Sequence, residues 1–68
     1  MGELYDICQR LMQRVEAANP EPIAQLRVKG QIARDAGFMV SLVSARDPDD
    51  PAKIASVKVA ARQLGIDL

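Results

Sequence analysis

Apolar residues recur at intervals of three and four from Glu3 to Ala18. This spacing gathers them on one side of an α-helix, which completes a turn every 3.6 residues. Pro20 follows closely, and a proline disfavours helical geometry in the residue before it. We therefore predict a helix that ends near Asn19. Its apolar positions are Leu4, Ile7, Cys8, Leu11, Met12, Val15 and Ala18.

A second helix is predicted from Pro51 to Leu64. Asp49 or Asp50 can act as its N-cap, and proline suits the first helical position because it has no amide hydrogen to leave unpaired. Gly65 follows, and glycine readily adopts the left-handed conformation that ends many helices. The apolar side of this helix consists of Ile54, Val57, Ala61 and Leu64.

The middle segment, Ile23 to Ala45, is compatible with two structures. As a helix it starts well after Pro22, and its apolar residues form one broad face that also contains Lys29. We favour this interpretation and expect Gly37 to kink or break the segment. The predicted fold is an all-α, small bundle of three helical segments in a single domain, residues 1–68. The apolar face of the middle segment consists of Leu26, Val28, Ile32, Ala33, Ala36, Met39, Val40 and Val43.

The alternative for the middle segment is a β-hairpin. Apolar and polar residues alternate over 26–32 and again over 38–43, as they do in a half-buried strand. Residues 35–37 suit a three-residue hairpin loop with Gly37 in the left-handed conformation. The alternative fold is α+β, helix–hairpin–helix, and it would dimerise by joining two hairpins.

The composition indicates a thin hydrophobic core. Hydrophobic residues make up 49% of the 68 residues, but the only aromatic side chains are Tyr5 and Phe38. A chain of this size buries only about 60% of the surface that its unfolded form exposes. With one cysteine and no histidine, an internal disulfide is impossible and the commonest zinc ligand is missing. Oligomerisation is therefore the expected aid to stability.

The residues between 38 and 43 are unusually apolar. As a helix they would point in several directions, and as a strand they would form an edge that needs a partner. We therefore expect a non-enzymatic protein–protein interaction module that self-associates or binds another protein through the middle segment. The predicted interaction surface consists of Val28, Ile32, Phe38, Met39, Val40, Leu42 and Val43.

The residues give no indication of an enzyme, and we predict no catalytic, cofactor-binding or metal site. Without histidine, no Ser–His or Cys–His pair can form. Cys8 lies on the apolar side of the first helix, where a free cysteine behaves as a small hydrophobic residue. The acidic run 47–51 departs from a calcium loop, because Ala52 and Lys58 occupy the positions that require glycine and glutamate. Its carboxylates are expected to cap the last helix.

One local pattern resembles the helix-turn-helix of the LacI-type repressors. It covers residues 32–44, and the matching positions are Ala33, Ala36, Gly37, Val43 and Ser44. The resemblance implies a recognition helix after Gly37, and DNA binding is the alternative function. However, the base-reading positions would be Met39, Val40 and Leu42, whose side chains have no groups that hydrogen-bond to base edges. Nucleic acid is therefore a possible partner that we do not favour.

The beginning of the chain is too polar for a secretory signal. Its first 16 residues include five charged side chains, so no secretory hydrophobic region fits there. No apolar run is long enough to cross a bilayer, and we expect no association with membranes. A single cysteine is typical of a reducing compartment, so we expect a cytoplasmic protein.

Overall fold

Prolines and glycines set the ends of the helices. The computed structural model describes residues 2–68, which form α1 (Glu3–Ala18), α2 (Pro22–Ala36) and α3 (Pro51–Gln63). A single turn of 3₁₀ helix, Val40–Leu42, lies between α2 and α3. The all-α bundle is thus confirmed. The hairpin alternative is wrong, since residues 2–68 contain no strand.

The predicted break at Gly37 is confirmed. Gly37 has φ 85° and ψ 8°, a left-handed conformation, and its amide donates to the carbonyl oxygen of Ala33 at 2.9 Å. The segment between Gly37 and α3 contains no further α-helix. It forms only the 3₁₀ turn before the chain crosses to α3. Val40, the first residue of that turn, is buried and anchors it to the core.

Half of the buried core comes from α1. This helix has an almost uninterrupted apolar side, and its outer side is polar. The partners from α3 are mostly small, so the α3 backbone can approach α1 closely. The α1 core residues are Leu4, Ile7, Cys8, Leu11, Met12 and Val15, and the others are Ile32, Ala36, Val40, Val57, Ala60 and Ala61.

The three helices run alternately up, down and up. The amide of Leu4 donates to Asp49 Oδ1 at 3.0 Å, so the chain that enters α3 lies beside the start of α1. At the opposite end, Arg14 Nη2 donates to the carbonyl oxygen of Asp67 at 3.2 Å. The radius of gyration, 11.0 Å, matches the value of about 11 Å expected for a folded chain of this length.

Lys29, the charged residue within the predicted apolar face of α2, reaches a carboxylate on the neighbouring helix. Its Nζ lies 3.2 Å from Glu16 Oε2. Lys58 on α3 makes a longer ion pair with Glu3, at 3.8 Å. Both pairs join α1 to a neighbour at partly exposed positions, where such pairs contribute roughly 0–1 kcal/mol each.

The helices of residues 2–68 are too short or too polar to cross a membrane. The longest, α1, has 16 residues and extends about 24 Å, whereas the hydrocarbon core of a bilayer is about 30 Å thick.

Candidate interaction surface

The residues of the predicted interaction surface differ in how deeply they are buried in the structure. Ile32 and Val40 are 0% and 2% exposed, so their side chains belong to the core and are not presented to a partner. Three residues are half-buried and pack against that core, namely Val28, Phe38 and Val43. Met39 and Leu42 are the exposed members, at 52% and 73%.

Met39 and Leu42 lie side by side because the 3₁₀ turn joins them. The amide of Leu42 donates to the carbonyl oxygen of Met39 at 3.1 Å. Side chains three residues apart on a 3₁₀ turn project in the same direction. These two exposed residues, with half-buried Phe38 and Val43 next to them in the chain, are called the 38–43 patch below.

One face of the Phe38 ring is occupied by a cation. Lys53 Nζ on the first turn of α3 lies 5.3 Å from the ring centroid. This distance is within the range of a cation–π interaction, which at exposed sites contributes about 0.5–1 kcal/mol. The contact joins the 38–43 patch to the first turn of α3.

Sequence reasoning missed a second exposed apolar pair at the start of α2. Leu26 belongs to the predicted apolar face of the middle segment, yet it is 70% exposed, and Ile23 is 69% exposed. Ile23 precedes buried Ile32 by nine residues, which is two and a half turns, so the two side chains point in opposite directions. That spacing was available from the sequence. Val59 on α3 and Leu64, directly after its last residue, are also exposed.

The acidic segment between the 38–43 patch and α3 serves as a set of caps. Asp50 Oδ1 accepts from the amide of Ala52 at 2.9 Å, which confirms the predicted capping of α3. Asp47 Oδ2 accepts from the amide of Ser44 at 2.9 Å and closes the preceding turn. Asp49 caps α1 instead, a role that the sequence did not reveal.

Cys8 is buried, at 1% exposure. Burial raises the pKa of its thiol to about 11, and the negative charge of Asp47 acts in the same direction. The thiolate is the reactive form of cysteine, so this thiol is a poor nucleophile at neutral pH.

The recognition helix implied by the LacI-type resemblance is not formed. Residues 32–36 end α2 and Gly37 makes the turn, but the chain then has one 3₁₀ turn, Val40–Leu42. Of the base-reading positions, Val40 is buried in the core. The segment therefore lacks the second helix that would enter a major groove.

An apolar groove lies at the other end of the bundle, where α1 and α3 terminate. It has a volume of about 330 Å³. Val28 of α2 borders it, and Arg14 contributes the only charged side chain of its lining. The remaining lining residues are Val15, Ala18, Asn19, Leu64 and Ile66.

Comparison with protein-family models finds no match for this chain, and comparisons with curated proteins and with solved structures find none either.

Proposed function

We propose that this protein is a non-enzymatic interaction module that binds a second copy of itself through the 38–43 patch. The observation that supports this proposal is the exposure of Met39 and Leu42 together on one turn. Scattered exposed apolar residues are ordinary, whereas adjacent ones favour an interaction site. A symmetric dimer places the patch of one copy against the same patch of the other.

The exposed apolar side chains are unevenly distributed, which also favours an interface on one part of the molecule. Among residues 2–68, every large hydrophobic side chain that is exposed lies on α2, on α3, directly after α3 or on the connection between the two helices. The outer side of α1 is polar, with charged or amide residues at Glu3, Asp6, Gln9, Arg10 and Gln13. The polar outer side of α1 is therefore the least suited to an apolar partner.

The expected dimer is weak. Burying four such side chains, two from each copy, contributes about 2 kcal/mol each, or roughly 8 kcal/mol in all. Association costs at least about 4 kcal/mol in lost translational and rotational freedom. The net free energy of association, about −4 kcal/mol, corresponds to a Kd on the order of 1 mM. Further burial of Phe38 and Val43 in the interface lowers this Kd.

Sedimentation equilibrium tests the proposal with two matched double variants. Both Met39→Ser/Leu42→Ser and Ile23→Ser/Leu26→Ser remove two exposed apolar side chains spaced three residues apart. We expect the parent mass to rise between about 10 μM and 1 mM. Met39→Ser/Leu42→Ser should stay monomeric, and the Ile23/Leu26 control should associate like the parent. A monomeric parent, or loss of association only in the control, contradicts the proposal.

The alternative function, DNA binding, predicts a different response. A DNA-binding protein is retained on DNA or heparin, and salt weakens that retention steeply. We expect no such retention, because the patch offers apolar side chains and the net charge is zero. The proposal places the protein in a reducing compartment such as the cytoplasm, which suits the free thiol of Cys8.

A further inference from the structure

The chain after α3 folds back over the bundle as a short strap, residues 66–68. Ile66 and Leu68 are half-buried and pack against the hydrophobic core, while Asp67 between them is exposed. This alternation gives the strap an apolar inner side and a polar outer side, as in an extended peptide that is seated in a groove.

The strap occupies the seam between α1 and α3. On one side, Asp67 and Leu68 share a hollow with Arg10, Gln13 and Arg14 of α1. On the other side, the whole strap borders a hollow that is lined by Lys58 and Arg62 of α3. Residues of both α1 and α3 therefore surround the three residues of the strap.

The strap is held by few polar contacts. Arg14 Nη2 donates to the carbonyl oxygen of Asp67 at 3.2 Å, and this bond is exposed to solvent. The amide of Ile66 donates to the carbonyl oxygen of Ala61 at 2.9 Å, which closes the end of α3. The hinge is Gly65, with φ 74°, and a Cβ built on it meets no atom within 4 Å. Glycine adopts positive and negative φ at little cost, so this residue can redirect the strap.

We propose that the seam between α1 and α3 is a peptide-binding site whose occupant in trans is the strap of a second copy. The recognised feature is an extended segment with aliphatic side chains at two positions separated by one residue. Its middle carbonyl accepts a hydrogen bond from Arg14. Exchange of identical segments between copies needs no new surface, because the seam already fits its own strap. This site is separate from the 38–43 patch. Because each copy's own strap already fills its seam, exchange adds little to the mass of the parent or of the Met39→Ser/Leu42→Ser variant up to about 1 mM.

The strap belongs to the same chain as the seam, so a free peptide has to compete with it for the site. A segment joined by one hinge residue is present at an effective concentration on the order of millimolar or more. A free peptide therefore competes poorly with the strap in the parent protein. It binds much better to a full-length variant whose own strap cannot enter the seam.

The test uses the full-length variant Ile66→Ser/Leu68→Ser, which removes the two side chains that pack against the core and adds no charge that the surrounding arginine and lysine side chains could attract. The probe is a synthetic peptide of residues 64–68, blocked at both ends so that terminal charges play no role, and binding is followed by backbone amide chemical shifts. We expect saturable binding to this variant, at least about tenfold tighter than to the parent. The amides whose chemical shifts change should be those of α1 near Arg14 and those of α3 near Arg62.

Two controls identify the recognised chemistry. The peptide carrying both serines should not bind. Adding Arg14→Ala to the double variant should weaken binding of the unmodified peptide several-fold. The proposal is overturned if the folded double variant does not bind the peptide, or if it binds no more tightly than the parent. It is also overturned if the double variant loses its helical spectrum, since the strap would then be an inseparable part of the core.

Discussion

The backbone amide of Leu4 donates a 3.0 Å hydrogen bond to the carboxylate of Asp49, a residue 45 positions further along the chain. The N-cap position of α1 is Gly2, which has no side chain to accept such a bond. Asp49 therefore supplies, from another part of the fold, the acceptor that a serine or aspartate at the N-cap normally provides. The same contact holds the connection before α3 against the start of α1.

Removing this carboxylate should destabilise the protein. We expect Asp49→Ala to lower the free energy of unfolding by about 1 kcal/mol, as loss of an N-cap does. Asp49→Asn should cost less, because its amide oxygen can accept the same bond and only the favourable charge at the helix N-terminus is lost. Urea unfolding followed by circular dichroism measures both. If alanine and asparagine are both without effect, the contact contributes nothing to stability.

Gly2 should be energetically coupled to Asp49. A Cβ built on Gly2 overlaps the Oδ1 atom of Asp49, so Gly2→Ala should displace the carboxylate. The variant should therefore lose most of what Asp49→Ala loses, and combining the two should add little more. A double-mutant cycle measures the coupling. Asp50→Ala, which removes the cap of α3 alone, is the control and should be additive with Gly2→Ala.

Two glycines of the middle segment should respond to substitution with opposite signs. Gly37 has φ 85°, and a residue with a Cβ is strained there by about 1–2 kcal/mol. We expect Gly37→Ala to lower stability by that amount and Gly37→Val to lower it by about 2 kcal/mol or more. Gly30 lies inside α2 with no atom within 4 Å of a built Cβ, so Gly30→Ala should raise stability by about 0.5–1 kcal/mol.

Thermal or urea unfolding of the three glycine variants distinguishes strain from crowding. No neighbouring atom lies within 4 Å of a Cβ built on Gly37. The cost should therefore come from the backbone conformation and should already be present in the alanine variant. A normal Gly37→Ala protein with a destabilised Gly37→Val protein would instead indicate crowding.

Cys8 should make the protein less stable at high pH. The pKa of its thiol rises from 9.0 to about 11 in the folded protein, so between these values the native state binds more protons than the unfolded state. Stability should be unaffected by this group below about pH 9 and should fall by roughly 2–3 kcal/mol as the pH rises through the window. Urea unfolding at several pH values measures the slope, and Cys8→Ala should reduce it.

The same pKa predicts a slow reaction of the Cys8 thiol. At pH 8 only about one molecule in a thousand carries the thiolate, and the side chain is also buried. Labelling by a thiol reagent should therefore be far slower in buffer than in denaturant. Equal rates under the two conditions would place Cys8 at the surface.

The helix boundaries were predictable because local chemistry determines them. Pro22 and Pro51 start helices, Gly37 and Gly65 have positive φ at their ends, and Asp50 caps α3. Each of these effects acts over a few residues, so the sequence alone contains it. Gly37 was expected to kink or break the helix in one interpretation and to be the left-handed residue of a hairpin loop in the other, so its presence could not distinguish between them.

The interaction surface was less predictable, because exposure depends on which helices cover a side chain. Ile32 and Leu42 are both large aliphatic residues of the same segment, yet one is fully buried and the other is 73% exposed. The apolar face of the middle segment was broad, so spacing did not show which part α1 and α3 would cover. Contacts such as Leu4 with Asp49 join distant positions, and no local pattern reveals them.

The cap that Asp49 provides also sets an order of events during synthesis. At about 5–20 residues per second, a ribosome adds the 45 residues between Leu4 and Asp49 in roughly two to nine seconds. Until then the first turn of α1 has no acceptor, and the residues of α3 that cover its apolar side have not been made. We expect the nascent α1–α2 pair to remain open to proteases and chaperones, and to become resistant only when α3 has emerged and packed against it.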